Sequence, residues 1–287
     1  MERYFLTPEL AQRLLAALGE GAGEVVCSLD LGFSQTPVRL APGGTPPAGG
    51  VAEFPDGARV TAGQLRDVAE SKRGCFLIED GRLEPIQIAG EYFYKLIPTD
   101  EAPTIEISGI QMHRTTGTKP FQNALTSARA VVRKGDRVLD TCGGLGYTAI
   151  AAARLGAAEV ISVDVDPNVR AIARQNPWSA EYFASPVIRL VDASSAEFIR
   201  TQADGSFDCV MHDPPRFSRA GELYGAEFYG QLARVLVRGG RLFHYTGEPY
   251  SKSRGGSFVQ GVMQRLRDAG FTVQARPELQ GVVGRRQ

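Results

Sequence analysis

Val138-Leu139-Asp140-Thr141-Cys142-Gly143-Gly144-Leu145-Gly146 reads as a buried strand that runs into a glycine turn and then a helix. Glycines let the backbone approach a ligand closely, and the start of a helix offers unpaired N–H groups. The G-x-G-x-x-G spacing of a dinucleotide site is absent: the glycines fall as G-G-x-G and are followed by Tyr147-Thr148. Asp140 at the strand end would repel a pyrophosphate but attract an ammonium or sulfonium. Asp164, with Val165 beside it, ends the next strand and is placed to accept hydrogen bonds from ribose hydroxyls. Asp192-Ala193 ends the third, where a carboxylate can take the amino group of adenine. Each signal is weak alone, since carboxylates often cap strand ends; in order and at strand–helix–strand spacing they reinforce one another.

These residues need a scaffold, and the pattern around them supplies one. From Val131 onward buried strands alternate with helices. Strands are predicted at 138–140, 160–164, 187–191, 207–211, 241–245, 271–275 and 281–285, with helices at 147–155, 168–176, 227–237 and 256–269. That alternation predicts a doubly wound α/β sheet of seven strands over residues 119–287. Residues 1–118 have a different texture. Thr7 and Pro8 start a short helix carrying Leu10, Leu14, Leu15 and Leu18, and short strands follow at 25–29, 38–40, 51–54, 59–60, 75–78 and 91–96. Pro42 to Gly50 reads as a turn or flexible loop. The expectation is a small, mostly-β N-terminal domain without a catalytic signature of its own.

The second half resembles the class I S-adenosylmethionine (SAM) dependent methyltransferases. Asp140 to Gly146 matches their glycine motif, Asp164 their ribose carboxylate and Asp192-Ala193 their adenine motif. The resemblance implies a Rossmann-like methyltransferase sheet and SAM as cofactor, held by Asp140, Cys142, Gly143, Gly144, Gly146, Tyr147, Asp164, Val165, Asp192, Ala193 and Asp213. Cys142 stands where many members carry the first glycine. Its thiol is read as a small buried filler rather than a nucleophile.

Met211-His212-Asp213-Pro214-Pro215-Arg216-Phe217 leaves the fourth strand, and its Asp-Pro-Pro resembles the (Asn/Asp)-Pro-Pro-aromatic motif of methyltransferases that act on amino nitrogen. Two prolines stiffen the loop, leaving the Asp213 carboxylate and the Pro214 carbonyl as fixed acceptors for an N–H group whose lone pair faces the methyl. An amine must be neutral to attack, so a nearby carboxylate can also take its proton. Arg216 replaces the aromatic that stacks on a base, with Phe217 following. This counts against a planar nucleobase and points to a carboxylate or phosphate on the substrate; the plainer alternative is a salt bridge to Asp208 or Glu222. Over its whole length, including Ser28 to Phe33 and Gly109 to Thr115, the chain resembles a methyltransferase group best known from archaea, carrying Asp-Pro-Pro-Arg.

Further candidates surround this turn. His113 is read as a catalytic or ligand-touching residue alongside Asp213, Pro214 and Arg216, and His244 as lining the substrate side. His212 is expected to point into the sheet. Tyr224 and Tyr229 follow the turn and are also placed on the substrate side. Tyr92 and Tyr94 are candidate lid residues, since a sulfonium is favoured over aromatic faces, and Trp178 is set beside the adenine or in the core. Three histidines without carboxylate spacing do not make a metal site.

The chain's 287 residues are 43% hydrophobic and 22% charged, with no apolar run near membrane-spanning length. Its 32 basic and 32 acidic residues balance, which argues against nucleic acid as the main partner. Residues 1–118 hold 10 basic and 16 acidic side chains against 22 and 16 in the remainder, a difference in sign that favours docking of the two halves. Four scattered cysteines without a CxxC pair read as a reduced, cytoplasmic protein. Free edges in the N-terminal part would support a homodimer. The leading expectation is an N-methyltransferase for an amine-bearing small molecule. The alternatives are alkyl transfer or cyclisation with release of methylthioadenosine, such as azetidine-2-carboxylate formation or aminopropyl transfer, an RNA methyltransferase, and a catalytically silent SAM-binding module.

Overall fold

The computed structural model describes residues 3–43, 49–79, 81–215, 220–247 and 251–287, with backbone alone for 42 and 251–257. The chain divides into two compact units, Met1–Pro120 with Gln175–Trp178, and Phe121–Arg174 with Ser179–Gln287.

The first unit holds β1 (Tyr4–Leu6), α1 (Pro8–Gly19), β2 (Glu24–Cys27), β3 (Thr36–Pro42), β4 (Gly50–Glu53), β5 (Arg59–Thr61), α2 (Ala62–Glu70), β6 (Phe76–Glu79), β7 (Arg82–Pro85), β8 (Gln87–Ala89), β9 (Phe93–Ile97), β10 (Thr104–Ile107) and β11 (Ile110–Gln111). They form three antiparallel sheets, ordered β1-β6-β7, β2-β3-β4-β5 and β11-β10-β9-β8. Thr7 caps α1 as its sequence requires, its Oγ1 accepting from Leu10 N at 3.2 Å. Leu14 of α1 and Leu65 and Val68 of α2 bury against Val38, Ala52 and Val60 of the four-stranded sheet. The α2 helix is absent from the sequence expectation, although Thr61 and Gln64 form the reciprocal capping box that starts it. Residues 44–48 of the expected Pro/Gly loop lie outside the described residues.

The second unit comprises α3 (Pro120–Val131), β12 (Arg137–Asp140), α4 (Tyr147–Arg154), β13 (Glu159–Asp164), α5 (Pro167–Gln175), α6 (Ala180–Ala184), β14 (Ile188–Asp192), α7 (Ser195–Thr201), β15 (Phe207–His212), α8 (Ala226–Val235), β16 (Leu236–Tyr245), α9 (Ser251–Asp268), β17 (Phe271–Arg276) and β18 (Gly281–Arg286). Its seven-stranded sheet runs β14-β13-β12-β15-β16-β18-β17, parallel except for β18. The chain steps outward from β12 to β14, then returns past β12 to β15 and steps outward the other way. Right-handed crossovers put the two sets of helices on opposite faces, so the sheet is doubly wound and Rossmann-like. The direction reverses between β12 and β15, and the carboxyl edge at such a reversal is where open α/β sheets bind their ligands. Among the boundaries that move, β16 begins at Leu236, where the sequence predicts a helix to 237, because Phe207 of β15 pairs with Leu236 ahead of a register shift.

Candidate active site at the carboxyl edge of the sheet

Four adjacent parallel strands bring an aspartate to this edge, as the last residue of β12, β13 and β14 and as the residue after β15, and each carboxylate has a different environment. Asp140, ending β12, is fully buried. Its Oδ1 accepts from Thr148 Oγ1 at 3.0 Å and its Oδ2 from Ser162 Oγ at 2.6 Å. Burial raises its pKa to about 6, against the lowering effect of those two hydroxyls. Both oxygens are therefore committed inside the protein, and the sequence expectation of an open carboxylate facing a cation is not what this geometry presents.

Asp164, ending β13, is half-buried and accepts from Gly144 N at 2.7 Å and Asp166 N at 2.9 Å. Burial raises its pKa while those two bonds oppose the rise. The following Val165 presents an apolar side chain that is 67% exposed. Asp192, ending β14, has a side chain 82% exposed, and its Oδ1 is gripped by Arg170 Nε at 3.0 Å. Ala193 N donates to Asp164 O at 3.2 Å, tying the ends of β13 and β14 together.

Asp213, after β15, differs from the other three. It is half-buried, and among the described residues no donor reaches its carboxylate. Burial, and secondarily the charge of Asp140, push its pKa up to about 7. Pro214 is buried beside it, and Tyr224 Oη donates to Pro215 O at 3.0 Å. Arg216 and Phe217 lie outside the described residues.

The glycine loop is shaped from below. Gly146 has φ 84° and starts α4, and a Cβ added there or at Gly143 would collide with the ring or hydroxyl of Tyr182. Gly144, at φ 54°, faces open space instead. Tyr182 Oη lies 2.8 Å from Ser162 Oγ and accepts from Arg170 Nη1 at 2.9 Å. A hydrogen-bonded chain thus passes beneath the loop from Asp192 through Arg170, Tyr182 and Ser162 to Asp140. Sequence reasoning missed Arg170, Tyr182, Ser162 and Thr148. Ser162, a lone polar residue within Val160-Ile161-Ser162-Val163, was the available signal.

The other expected site residues have the following surroundings, each within its own unit. The ring of Tyr147 is buried edge-on against Phe121, centroids 5.8 Å apart, so only its backbone belongs to the loop. Burial first, then Asp164, Asp140 and Asp213, hold the Cys142 thiol well above its ordinary pKa; it is a protonated filler. Tyr229 and His244, expected on the substrate side, are fully buried and bond to each other, Oη to Nε2, at 2.8 Å. Tyr224 is buried with them, its ring 5.4 Å from that of His244. Their apolar surroundings on α8 and β16 draw these rings into the core. In the first unit, Tyr94 is buried in the sheet, whereas Tyr92 is exposed at its edge. His113 places Nδ1 3.0 Å from Thr104 Oγ1, and burial lowers its pKa to about 4. Trp178 donates to Leu31 O at 2.8 Å and its ring lies 4.3 Å from that of Phe33.

The family profile for ribosomal protein L11 methyltransferase (PrmA) matches residues 109–205. An uncharacterized protein of Methanocaldococcus jannaschii is 42% identical over 281 residues, covering 97% of this chain and 94% of that protein. The chain belongs to the family of that archaeal protein, within the class I SAM-dependent methyltransferases. It is an enzyme, and its cofactor is SAM. Ribosomal protein L11 methyltransferase of Geobacter sulfurreducens is 44% identical over 61 residues, 21% of this chain and 20% of that one. Polyamine aminopropyltransferase 2 of Streptomyces coelicolor is 29% identical over 125 residues, 41% of this chain and 23% of that one. The chain thus spans under a quarter of the length of these two relatives. Spermidine synthase of Thermotoga maritima superposes with a TM-score of 0.54 at 17% identity, covering 70% of this chain and 71% of that one, which shows a shared fold. Among the described residues no helix is long and apolar enough to cross a membrane, and no group of side chains is arranged to hold a metal ion.

The residues present fit the cofactor. Gly144 leaves open space where a side chain would stand, the half-buried Asp164 carboxylate sits beside it, and the exposed Val165 offers an apolar face next to both.

Proposed function

We propose that the enzyme transfers the methyl group of SAM to the amino nitrogen of a small molecule. The observation that carries this reading is Asp213: a carboxylate across the switch point from the glycine loop, with no donor among the described residues and a pKa near 7. In this reading Asp164 takes the ribose hydroxyls, Asp192 and Ala193 the adenine edge, Val165 the adenine face, and the open space at Gly144 admits the rest of the molecule. The cofactor supplies an electrophilic methyl carbon whose leaving group is a neutral thioether. Asp213 and the Pro214 carbonyl orient the amine through its N–H groups. As the N–C bond forms and the S–C bond breaks, Asp213 accepts the proton the nitrogen sheds, which its raised pKa suits near neutral pH.

A second reading keeps this site and moves an aminopropyl group instead, releasing methylthioadenosine. It is supported by the similarity to Streptomyces coelicolor polyamine aminopropyltransferase 2. Mass spectrometry of purified enzyme with SAM or decarboxylated SAM, alone and with a pool of amines, separates the two. S-adenosylhomocysteine that forms only with an acceptor supports methyl transfer. Methylthioadenosine as the product overturns it. Turnover confined to RNA or protein acceptors would overturn the small-molecule part, and the similarity to a ribosomal RNA large subunit methyltransferase I of Serratia proteamaculans makes RNA the first to include.

A further inference from the structure

We propose that His212 is a positioning residue that clamps the Asp-Pro-Pro turn to the glycine loop, and that Tyr224 is the arm through which it acts. The inference rests on Asp213 being the reactive carboxylate of the preceding section.

His212 is the last residue of β15, immediately before Asp213. Its imidazole is fully buried, and its two nitrogens reach two different segments. Nε2 lies 3.0 Å from the Leu223 carbonyl, an atom that only accepts, so Nε2 carries the proton. Nδ1 is therefore an acceptor, and Thr141 Oγ1 at 2.7 Å donates to it. Thr141 is the first residue of the glycine loop, pinned on the other side by Ser195 Oγ, which donates to its carbonyl. Leu223 belongs to the 3-10 turn Gly221–Tyr224, and its neighbour Tyr224 returns to the loop by donating to Pro215 O.

The described parts of this region thus close into a ring, from His212 to Leu223, Tyr224 and Pro215 and back along the chain through Asp213, with Thr141 of the glycine loop tied to it at His212. Burial holds the imidazole neutral and the Tyr224 phenol protonated, so each donor and acceptor in the ring keeps its role across the physiological range. A neutral imidazole with one donor and one acceptor nitrogen serves two partners at fixed separation. Of the shorter amides, Asn keeps a polar atom near Nδ1 and loses the reach to Leu223, while Gln reaches toward Leu223 and loses Thr141. The two bonds can therefore be removed one at a time.

The test is a double-mutant cycle on the full chain with H212N, H212Q, Y224F and H212N/Y224F. Thermal unfolding and SAM calorimetry establish folding and cofactor binding, and kcat and KM are then measured with the amine acceptor. H212N and Y224F should each lower kcat about tenfold or more, with KM and SAM Kd within about threefold. The double variant should be no slower than the slower single one, because both changes open the same ring. H212Q should keep more kcat than H212N. Losses that multiply in the double variant, or SAM affinity that falls in step with kcat, overturn the clamp. Amide hydrogen exchange of residues 221–225 reads the clamp without any turnover. It should quicken about tenfold in H212N or Y224F while other segments hold, and unchanged exchange overturns the proposal. Should the wild-type enzyme use no amine, the preceding reading fails while this exchange still decides the clamp.

Discussion

The phenol oxygen of Tyr182 lies 2.8 Å from Ser162 Oγ, and the same ring fills the space beneath Gly143 and Gly146. One side chain therefore sets the shape of the glycine loop and relays hydrogen bonds between Arg170 and Asp140. Y182F keeps the ring and removes the relay, and should cost about 1–3 kcal/mol in urea unfolding because buried partners lose a bond. G146A adds a collision with that ring at a positive φ; a loss of about 2–4 kcal/mol and of measurable SAM binding by calorimetry is expected.

Asp213 gives a pH signature of known sign. Its folded pKa, about 7, stands above the ordinary 3.8, so between those values the native state holds a proton that the unfolded state has released. Stability from this group is present below 3.8 and is lost as pH rises toward 7. D213N should therefore raise stability at pH 8 by about 1–2 kcal/mol, discounted for solvent access, with little effect at pH 4. Turnover of the wild type should rise with pH through about 7 as the carboxylate ionises. A D213N enzyme that retained that limb would assign it to another group.

Arg170 is buried and serves Asp192, Tyr182 and the Val191 carbonyl together. Lysine cannot reproduce that fork. R170K should weaken SAM binding about 3- to 30-fold and cost about 1–3 kcal/mol of stability. D192N, at an exposed carboxylate, should change stability by under about 0.5 kcal/mol while still reducing SAM affinity, which calorimetry on the same protein would show.

The Cys142 thiol, held protonated by burial and three neighbouring carboxylates, should resist alkylation. Intact mass after iodoacetamide at pH 8 should show no adduct on Cys142 in the native protein and full labelling in urea. Rapid native labelling would place a thiolate at the site.

The carboxylates at the strand ends and the glycine turn were legible because strand–helix–strand spacing fixes where strand ends fall. What each carboxylate faces was not. Asp140 is sealed by Thr148 and by Ser162, which stands on the neighbouring strand, and pairing across strands leaves no local trace in sequence. Tyr229 was misplaced although Phe228, Tyr229, Leu232 and Val235 form an inward stripe at helical spacing on α8. Nearness in sequence to the Asp-Pro-Pro turn does not set where a ring points; the helical periodicity does. His244 pairs directly with His212 across β15 and β16, a register that sets both imidazoles on one buried face.

The order of the sheet also bears on how the chain assembles itself. Among the described strands, β17 joins the sheet through β18, which lies between it and β16. The ribosome delivers β17 first, yet it has no place to dock until β18 exists. The two strands, joined through Pro277–Leu279 and a left-handed Gln280, can zip together as a local hairpin, since Phe271 and Arg286 are its most distant partners. That hairpin then arrives on β16 as a finished piece. The strands that bear the four aspartates pair without it, so the edge where chemistry is set out can be laid down before the last wall of the core is hung.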